Sequence, residues 1–361
     1  MPSIENFATA VCIALCTATY GACVTMGADA PSWAQKMISL QYGNADNTTF
    51  GMGSDDLFNV AFIAAALTVL RKVLMEGVFN PMSAALGVEA EGGDAVKFRQ
   101  QGWVMVYYTT AFLWGLQEIW LAPYWMDTAA LWVGYPQNTA VSGSFKLYFV
   151  CQAAFWFHMV FVTLVEPWQN DFVVMIIHHF ITIVMLLGSC YSGVLAVPHA
   201  ILVEQDLADI FLPAAKMCNY VSAGGSSLAP YFKILADGLF GLFAVVWIPT
   251  RHVILPMIYY SILTEAEEGL LNGGCNCGEG SKLAYNPEMN CVLSLESWPQ
   301  VLMVYKVALA IFQCLLLIWL RSILIAVSKA LMGDDLTKIE MESDQSWQKG
   351  QDSATARPKT A

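Results

Sequence analysis

Apolar runs of about 18 or more residues recur along the chain, separated by short polar stretches. Each run is long enough to cross a bilayer as a helix, which takes roughly 20 residues. The predicted spans lie near 7–26, 57–74, 103–121, 146–166, 172–190, 194–216, 233–257 and 301–328. The pattern therefore predicts an all-α, multi-pass membrane protein with about eight transmembrane helices.

The longer polar stretches divide these spans into regions. The segment "GVEAEGGDAVKFRQQG" separates the first two spans from the other six. We therefore expect a two-span N-terminal membrane region at 1–75 and a six-span core at 76–332. Residues 333–361 are polar, charged and poor in aromatic residues, which predicts a disordered tail. The first span lacks a basic segment before it, which favours a membrane anchor over a signal peptide.

Composition and charge agree with a membrane protein and give it an orientation. The chain is 57% hydrophobic and 13% charged, against about 25% charged residues in a soluble domain. With the N-terminus in the cytosol, most basic residues outside the spans face the cytosol, as the positive-inside rule requires. They are Arg71, Lys72, Lys97, Arg99, Lys216, Lys233, Arg321, Lys329 and the lysines of the tail. An even number of spans then leaves both termini cytosolic.

The non-cytosolic loops carry features that suit an oxidising compartment. Asn47 begins an Asn-Thr-Thr glycosylation sequon in the first of these loops. Cys275, Cys277 and Cys291 share the loop between spans seven and eight. A disulfide between one of the first two cysteines and Cys291 is expected there, and a zinc site is less favoured. The net charge of −12 comes with no basic patch suited to nucleic acid, so no nucleic-acid partner is expected.

Spans five and six carry clusters of ionisable residues, which are costly within a membrane and therefore mark candidate functional sites. Span five holds two adjacent histidines, and span six holds a histidine, three acids and a lysine. These residues are His178, His179, His199, Glu204, Asp206, Asp209 and Lys216. The short turn between the spans makes them antiparallel. We expect His178 about 9 Å, and Asp206 and Asp209 about 15 and 10 Å, below the cytosolic ends of their spans.

A His-carboxylate site at that depth has a clear chemical use. A carboxylate that accepts from one imidazole N–H leaves the other ring nitrogen free as a general base or nucleophile. Iron or zinc is the rival ligand, although adjacent histidines on one helix rarely reach one metal and paired E-x-x-H motifs are absent from the sequence. A buried polar network that joins helices is the purely structural alternative.

Two other polar residues within spans are expected to serve the fold, and the role of a third stays open. His199 lies well below the candidate site, which favours a structural role, and His158 on aromatic-rich span four is expected to pack. Arg251 is expected near the non-cytosolic end of span seven. Snorkelling or helix pairing suits that position as well as catalysis does.

The sequence "HHFIT…SCYSG…EQDLADIFLPAAKMCNY" resembles the Lag motif of the TLC-domain family, the ceramide synthases. That motif reads HHxxT, then Ser-Tyr, then D-x-x-D-x-x-L with a following Lys. Its positions fall on His178, His179, Thr182, Tyr191, Asp206, Asp209, Leu212 and Lys216. The resemblance covers roughly residues 37–335 and is strongest to the fungal branch.

The resemblance implies an N-acyltransferase that joins a fatty acyl-CoA to a sphingoid base, giving a ceramide or dihydroceramide in the endoplasmic reticulum membrane. It implies His178, His179, Asp206 and Asp209 as catalytic residues. Thr182, Tyr191, Gln205, Lys216 and Arg251 would support them. No cofactor is expected, because the acyl-CoA is a substrate of the reaction. No metal is expected either. Family members commonly dimerise, and fungal ones use a small single-pass accessory subunit. A C-terminal "ARPKTA" resembles a dilysine retrieval signal.

The sequence also departs from the family pattern. Gln205 stands where animal members have His, the Ser-Tyr step reads Ser189-Cys190-Tyr191, and "EPWQND" replaces a basic loop. The candidate partners for the CoA phosphates are then Lys97, Arg99, Lys216 and Lys233. Three alternatives stay open: a specialised paralogue that acylates another long-chain amine or confers toxin resistance, a non-catalytic lipid-binding TLC protein, and a proton-relaying transporter. The last predicts inverted repeats, which the sequence does not display.

Overall fold

The computed structural model describes residues 2–88, 93–132, 140–166, 171–266 and 298–332. Its first helices are α1 (Pro2–Met26), α2 (Ser32–Ile38), α3 (Asp56–Leu74), α4 (Asn80–Ala85), α5 (Gly93–Trp120) and α6 (Gly143–Val165). The later ones are α7 (Phe172–Ser192), α8 (Ala196–Ala223), α9 (Ala229–Pro249), α10 (Leu255–Thr264) and α11 (Trp298–Leu331). Two π-helical turns continue helices without a break: Met75–Phe79 joins α3 to α4, and Thr250–Ile254 joins α9 to α10.

Short elements complete the described chain. Turns of 3-10 helix lie at Gly27–Asp29 and Ala129–Trp132. The strands β1 (Thr49–Phe50) and β2 (Val141–Ser142) pair antiparallel, with Thr49 opposite Ser142. They form a two-residue ribbon that joins the loop before α3 to the loop before α6.

Most of the long helices are apolar enough to cross a membrane. Among the described residues, six segments meet that description by length and composition: Ile4–Asp29, Asp56–Ala85, Gly143–Val165, Phe172–Ser192, Ala229–Thr264 and Pro299–Leu331. The predicted all-α, multi-pass architecture is confirmed. Helices α5 and α8 have 28 residues each, about 42 Å, and are long enough to cross as well. They fall outside the apolar set because they carry polar side chains in mid-helix.

The ends of the helices show that α5 crosses the bundle. Arg71, at the end of α3, forms ion pairs with Glu5 at the start of α1 and with Glu166 just after α6. At the opposite end, the β1–β2 ribbon joins the chain before α3 to the chain before α6. Helices α3 and α6 therefore run in the same direction, and α5 returns between them. We refer to the end that carries Arg71 as the basic end.

Helix α8 crosses in the same way. It follows the turn at Gly193, at the end of the bundle opposite the basic end, and packs along both α5 and α9. Near its own end, Met217 and Tyr220 share a buried cluster with Phe79 and Phe98, which lie at the basic end. With α5 and α8 added to the six apolar segments, the described residues contain eight crossings.

Close approach of α5 and α8 depends on one glycine. A side-chain carbon placed on Gly115 would lie 2.6 Å from the Val203 methyl carbon and 2.7 Å from the Tyr148 hydroxyl. Neither distance is compatible with van der Waals contact. The absence of a side chain at position 115 therefore allows α5 and α8 to pack along their length and brings their polar residues into the core.

A buried lysine joins the N-terminal helices to the core at the end opposite the basic end. The Lys146 side chain is fully buried at the start of α6, and its Nζ lies 2.6 Å from an Asp56 carboxylate oxygen. Lys146 also donates to the backbone carbonyls of Gln41 at 2.7 Å and Gly51 at 2.6 Å. All three partners precede or begin α3. The expected division into regions at 75 and 332 stays a prediction, but α3 packs on α6 and α1 packs on α3.

We expect Lys146→Met to lower the free energy of unfolding by about 3–5 kcal/mol, because it leaves Asp56 as an uncompensated buried charge. Thermal unfolding of the purified protein in detergent measures the effect. Lys36→Met is the matched control: the Lys36 and Asp55 side chains are 37% and 34% exposed, and such pairs contribute about 1 kcal/mol or less. Equal effects of the two substitutions would contradict this account of the buried Lys146–Asp56 ion pair.

Candidate active site

The two adjacent histidines lie on α7, which has defined ends. Asp171 precedes the helix and accepts a hydrogen bond from the Trp319 indole of α11 at 3.2 Å. Gly193 closes the helix in the left-handed conformation, with φ of 75°, which glycine adopts at little cost. These contacts fix α7 against α11 and place His178 and His179 in its second turn.

Aromatic side chains from α6 and α11 surround the histidine rings. The His178 ring stacks on Phe312 with centroids 5.2 Å apart, and the edge contacts to Trp156 and Trp319 are 5.2 and 5.4 Å. The His179 ring lies 5.6 Å from His178 and 5.5 Å from Trp156. His179 is 1% exposed. The pair thus occupies an aromatic cage.

Each histidine has one ring nitrogen without a hydrogen-bond partner among the described residues. The Nδ1 atoms of His178 and His179 are buried and have no hydrogen-bond partner within the described part of the chain. Thr182, one turn further along α7, donates to the backbone carbonyl of His178 at 2.9 Å rather than to its ring. A buried polar atom without a partner costs about 1–3 kcal/mol. A bound reactant could supply that partner.

Asp206 of α8 is held by neutral groups. It is 1% exposed, and one of its oxygens accepts from the Gln152 amide of α6 at 2.9 Å. The same amide nitrogen donates to the Tyr148 hydroxyl at 3.1 Å. The Gln152 carbonyl oxygen accepts from the Tyr107 hydroxyl of α5, also at 3.1 Å. Residues from α5, α6 and α8 thus form one hydrogen-bonded network.

Asp209 is held by a cation. The Arg251 guanidinium donates to Asp209 at 2.9 Å, to the Gln205 backbone carbonyl at 2.8 Å and to the Thr250 hydroxyl at 2.9 Å. Arg251 is 2% exposed and lies on the π-helical turn Thr250–Ile254. Its predicted position near the non-cytosolic end of span seven is wrong, because the helical chain continues to Thr264. Of the roles considered for it, the structure shows helix pairing.

Helix α6 connects the histidines to the acids. Gln152 and Trp156 are four residues apart and share a face of the helix; Trp156 contacts both histidines and Gln152 binds Asp206. Along α6, Asp206 is therefore about one turn, roughly 5 Å, deeper than the histidine pair. Asp209 lies three residues after Asp206, so the two carboxylates share a face of α8. The four predicted catalytic side chains therefore surround one region of the bundle.

The depth predicted for the acids differs from the structure. Helix α8 continues to Ala223 instead of ending near 216, so Asp206 and Asp209 lie about two turns further from its end than expected. The last turns of α8 share a buried cluster with Phe79 and Phe98. Hydropathy ended span six near 216 and did not predict that the helix continues through these buried turns.

Comparison with known proteins identifies the family. The TLC domain matches residues 97–325, well over half of the chain. The chain belongs to the TLC-domain family. The resemblance inferred from the histidine and aspartate motif is confirmed, and the matched range contains every candidate catalytic residue.

Three relatives illustrate the family. A ceramide synthase of Gibberella moniliformis is 29% identical over 70% of this chain and 57% of its own length. A sphingosine N-acyltransferase-like protein of Alternaria alternata is 26% identical over 85% of this chain and 72% of its own length. The sphingosine N-acyltransferase lag1 of Schizosaccharomyces pombe is 27% identical over 84% and 72%. The chain thus spans little more than half of the first relative. The predicted enzyme class agrees with these names.

The other residues of the motif differ in how deeply they are buried and in what they contact. Tyr191 is 63% exposed on α7, away from the cage. The buried hydroxyl of that motif step is instead Ser189, which bonds Tyr305 of α11 at 2.9 Å. The Gln205 side chain donates to Glu204 at 2.7 Å. Lys216 lies half-buried towards the end of α8.

The two histidines expected to be structural are tied into the fold. The His199 ring bonds the Tyr124 hydroxyl at 2.8 Å through one nitrogen and the Gly115 carbonyl at 3.1 Å through the other. The His158 ring bonds the Thr68 hydroxyl at 3.0 Å. The contacts with Gly115 and Thr68 cross between helices, which agrees with the structural roles that the sequence predicts for these two histidines.

Several sequence predictions concern residues away from the histidine and aspartate site. The loop cysteines and the retrieval-like tail lie in 267–297 and 333–361, outside the described residues. Within the described ranges, no group of three or more His, Cys, Asp or Glu is arranged to hold a metal ion. Asn47 is exposed in the turn before β1, with φ of 51°.

Sequence reasoning missed several residues of the site. They are Tyr107, Gln152, Trp156, Phe312 and Trp319. Gln152 did leave a signal, because an amide in the middle of the apolar segment "LYFVCQAAFW" must find partners when buried. The aromatic residues left none, since tryptophan and phenylalanine are ordinary in membrane-spanning helices.

Proposed function

We propose that this chain is a ceramide synthase, which transfers a fatty acyl group from acyl-CoA to the amine of a sphingoid base such as sphinganine or phytosphingosine. One observation carries the proposal: the unpartnered Nδ1 atoms of His178 and His179 lie in an aromatic cage beside two differently paired carboxylates. The names of the relatives supply the substrate class.

The reaction requires one bond to form and one to break. The amine nitrogen attacks the thioester carbonyl carbon, the new C–N bond replaces the C–S bond, and the CoA sulfur leaves with a proton. A neutral amine is the nucleophile, so a base must take its proton. A motif histidine serves either as that base or as the first acyl acceptor, passing the acyl group on to the amine.

The acids have supporting roles in either route. A carboxylate near an imidazole favours its protonated form and stabilises the cation that arises during proton transfer. Asp206 is one turn from the histidines along α6 and has only neutral hydrogen-bond partners among the residues described. Asp209 is paired with Arg251, which fixes α8 against the π-helical turn. We propose that Asp206 acts on the reacting groups and that Asp209 positions them.

The two substrates fit different parts of the molecule. The hydrocarbon chains would lie against the apolar helices, where burial is worth about 0.8 kcal/mol for each methylene. The CoA phosphates require a charged, wet surface. Lys97, Arg99, Lys216 and Lys233 lie towards the basic end of the bundle and are the candidate partners for the phosphates. We propose that this end faces the cytosol, where acyl-CoA is dissolved.

The proposed location is the endoplasmic reticulum membrane, with both termini in the cytosol. In that orientation Asn47 is lumenal and exposed, and we expect it to be glycosylated. Endoglycosidase treatment should increase the electrophoretic mobility of the wild-type protein and leave Asn47→Gln unchanged. A sequon inserted beside Lys97 is the control for the opposite face, and glycosylation there instead of at Asn47 would contradict the orientation.

The function is tested in microsomes that lack endogenous ceramide synthase. The chain is expressed with and without a fungal single-pass accessory subunit, and sphinganine or phytosphingosine is supplied with acyl-CoAs of several lengths. Mass spectrometry should detect N-acyl products that are absent from microsomes with an empty vector. A folded protein that acylates only another long-chain amine would redirect the proposal to a specialised paralogue. Lipid binding without product would indicate a non-catalytic TLC protein.

A further inference from the structure

Gln152 is a buried amide in the middle of an otherwise apolar helix. It is 1% exposed, and its neighbours on α6 are Cys151, Ala153 and Ala154. An amide at this depth is stable only if its donors and acceptor are satisfied. Its nitrogen contacts Asp206 and Tyr148, and its oxygen contacts Tyr107. Both ends of the amide are thus in use.

The chemistry of the partners fixes the direction of this amide. An ionised Asp206 carboxylate only accepts hydrogen bonds, so it requires the nitrogen of Gln152 and not the oxygen. The oxygen then faces the Tyr107 hydroxyl, which donates to it at 3.1 Å. Tyr107 stacks on Phe155 with ring planes 6° apart. The tyrosine is therefore held in place, and it holds the amide in the orientation that serves Asp206.

The two acids of the motif differ in how they are held. Asp209 receives the charge of Arg251, whereas Asp206 receives a neutral amide. A cation at Asp206 would cancel the charge of the ionised carboxylate, whereas a neutral amide orients the carboxylate and does not cancel that charge. That charge remains available to an imidazolium or to the ammonium group of an incoming amine.

We infer that Gln152 is a positioning residue that orients the Asp206 carboxylate for acyl transfer, with Tyr107 setting the direction of the amide. The inference rests on the proposed N-acyltransferase function. It adds to the motif a residue on α6. Gln152 lies four positions before Trp156, and Trp156 contacts both histidines. One face of α6 therefore sets the separation between the acid and the histidine pair.

Two substitutions test the role of the amide. Gln152→Leu removes the donor, and we expect kcat to fall about 100-fold, as displacement of a reacting group by about 1 Å can cause, while the KM for acyl-CoA changes less than threefold. Gln152→Glu keeps the shape. The introduced carboxyl group can still donate to Asp206 when it is protonated, and it repels Asp206 when it is ionised, so activity should be retained at low pH and lost as pH rises. Wild-type protein should lack this additional loss.

Tyr107→Phe provides a milder test that keeps the helix packing. It removes the donor to the amide oxygen, so we expect kcat to fall by up to about tenfold, the effect of one neutral hydrogen bond. Thr163→Val is the control on α6, because the Thr163 hydroxyl bonds only the Met159 carbonyl of its own helix at 2.8 Å among the described contacts. We expect its kcat to match wild type.

The outcomes separate this inference from the proposed function. Rates are normalised to folded protein measured by size-exclusion chromatography. An inactive wild-type protein would overturn the proposed function and this inference with it. An active wild type whose Gln152→Glu variant keeps the wild-type pH profile, or whose Tyr107→Phe and Gln152→Leu variants keep the wild-type kcat, would overturn the role of Gln152 alone.

Discussion

His178→Ala and His179→Ala should each reduce formation of the N-acyl product by about 100-fold or more. A positioned general base contributes roughly 10²–10⁴ to a rate, and a histidine that carries the acyl group contributes no less. Asp206→Asn keeps the size and the contact with Gln152 but removes the charge, so a loss of similar order is expected. The measurement is the initial rate of amide formation from sphinganine and acyl-CoA, normalised to folded protein.

Phe180→Ala is the matched control for these variants. Phe180 lies on the same helix, one residue after the pair, but is 66% exposed on the outer face of α7. We expect its rate to be within a few-fold of wild type. If both histidine variants retained the rate of Phe180→Ala, the motif pair would not be the catalytic centre, and the aromatic cage would have to serve binding alone.

Arg251→Leu should have the largest effect on stability of the site variants. It leaves the Asp209 carboxylate, whose side chain is 32% exposed, without the cation of the buried Arg251. Breaking a fully buried pair costs about 3–5 kcal/mol, and that is the upper bound here. We expect a lower melting temperature in detergent and a smaller yield of monodisperse protein. Arg251→Lys should recover part of the loss, because the charge is kept but the fork that also binds the Gln205 carbonyl is not.

A double variant distinguishes a role of the Arg251–Asp209 pair in stability from a role in the reaction. Arg251→Leu combined with Asp209→Leu removes both charges, and replacing a buried ion pair by apolar residues is often neutral for stability. We therefore expect the melting temperature to recover while the acyl-transfer rate stays low. Recovery of both properties would show that Asp209 and Arg251 only hold α8 against α9.

Much of the fold follows from hydropathy, because a helix that crosses a membrane in contact with lipid is predominantly apolar. The span at 172–190 agrees with α7 to within two residues of its end at Ser192. Where helices are buried by other helices, hydropathy is a weaker guide. It placed the end of span six near 216, whereas α8 continues to Ala223. It also placed Arg251 near the end of a helical segment that continues to Thr264.

Part of the candidate site could be located from the sequence, and part could not. Ionisable residues such as His178 and Asp209 are unusual within an apolar segment, so the sequence could locate them. Their partners depend on how the helices rotate and slide against one another, which the sequence does not specify. The pairing of Asp209 with Arg251 across 42 positions and of Asp206 with Gln152 across 54 positions therefore emerged only from the packed structure.

The central claim is that this chain itself joins an acyl group to a sphingoid amine. The most direct measurement uses the purified protein in lipid, with its accessory subunit where folding requires it, supplied with isotope-labelled acyl-CoA and sphinganine. The account predicts labelled ceramide and free CoA in equal amounts, with neither formed by His178→Ala or His179→Ala. Folded wild-type protein that releases no CoA and forms no amide with any acyl-CoA or long-chain amine would contradict it.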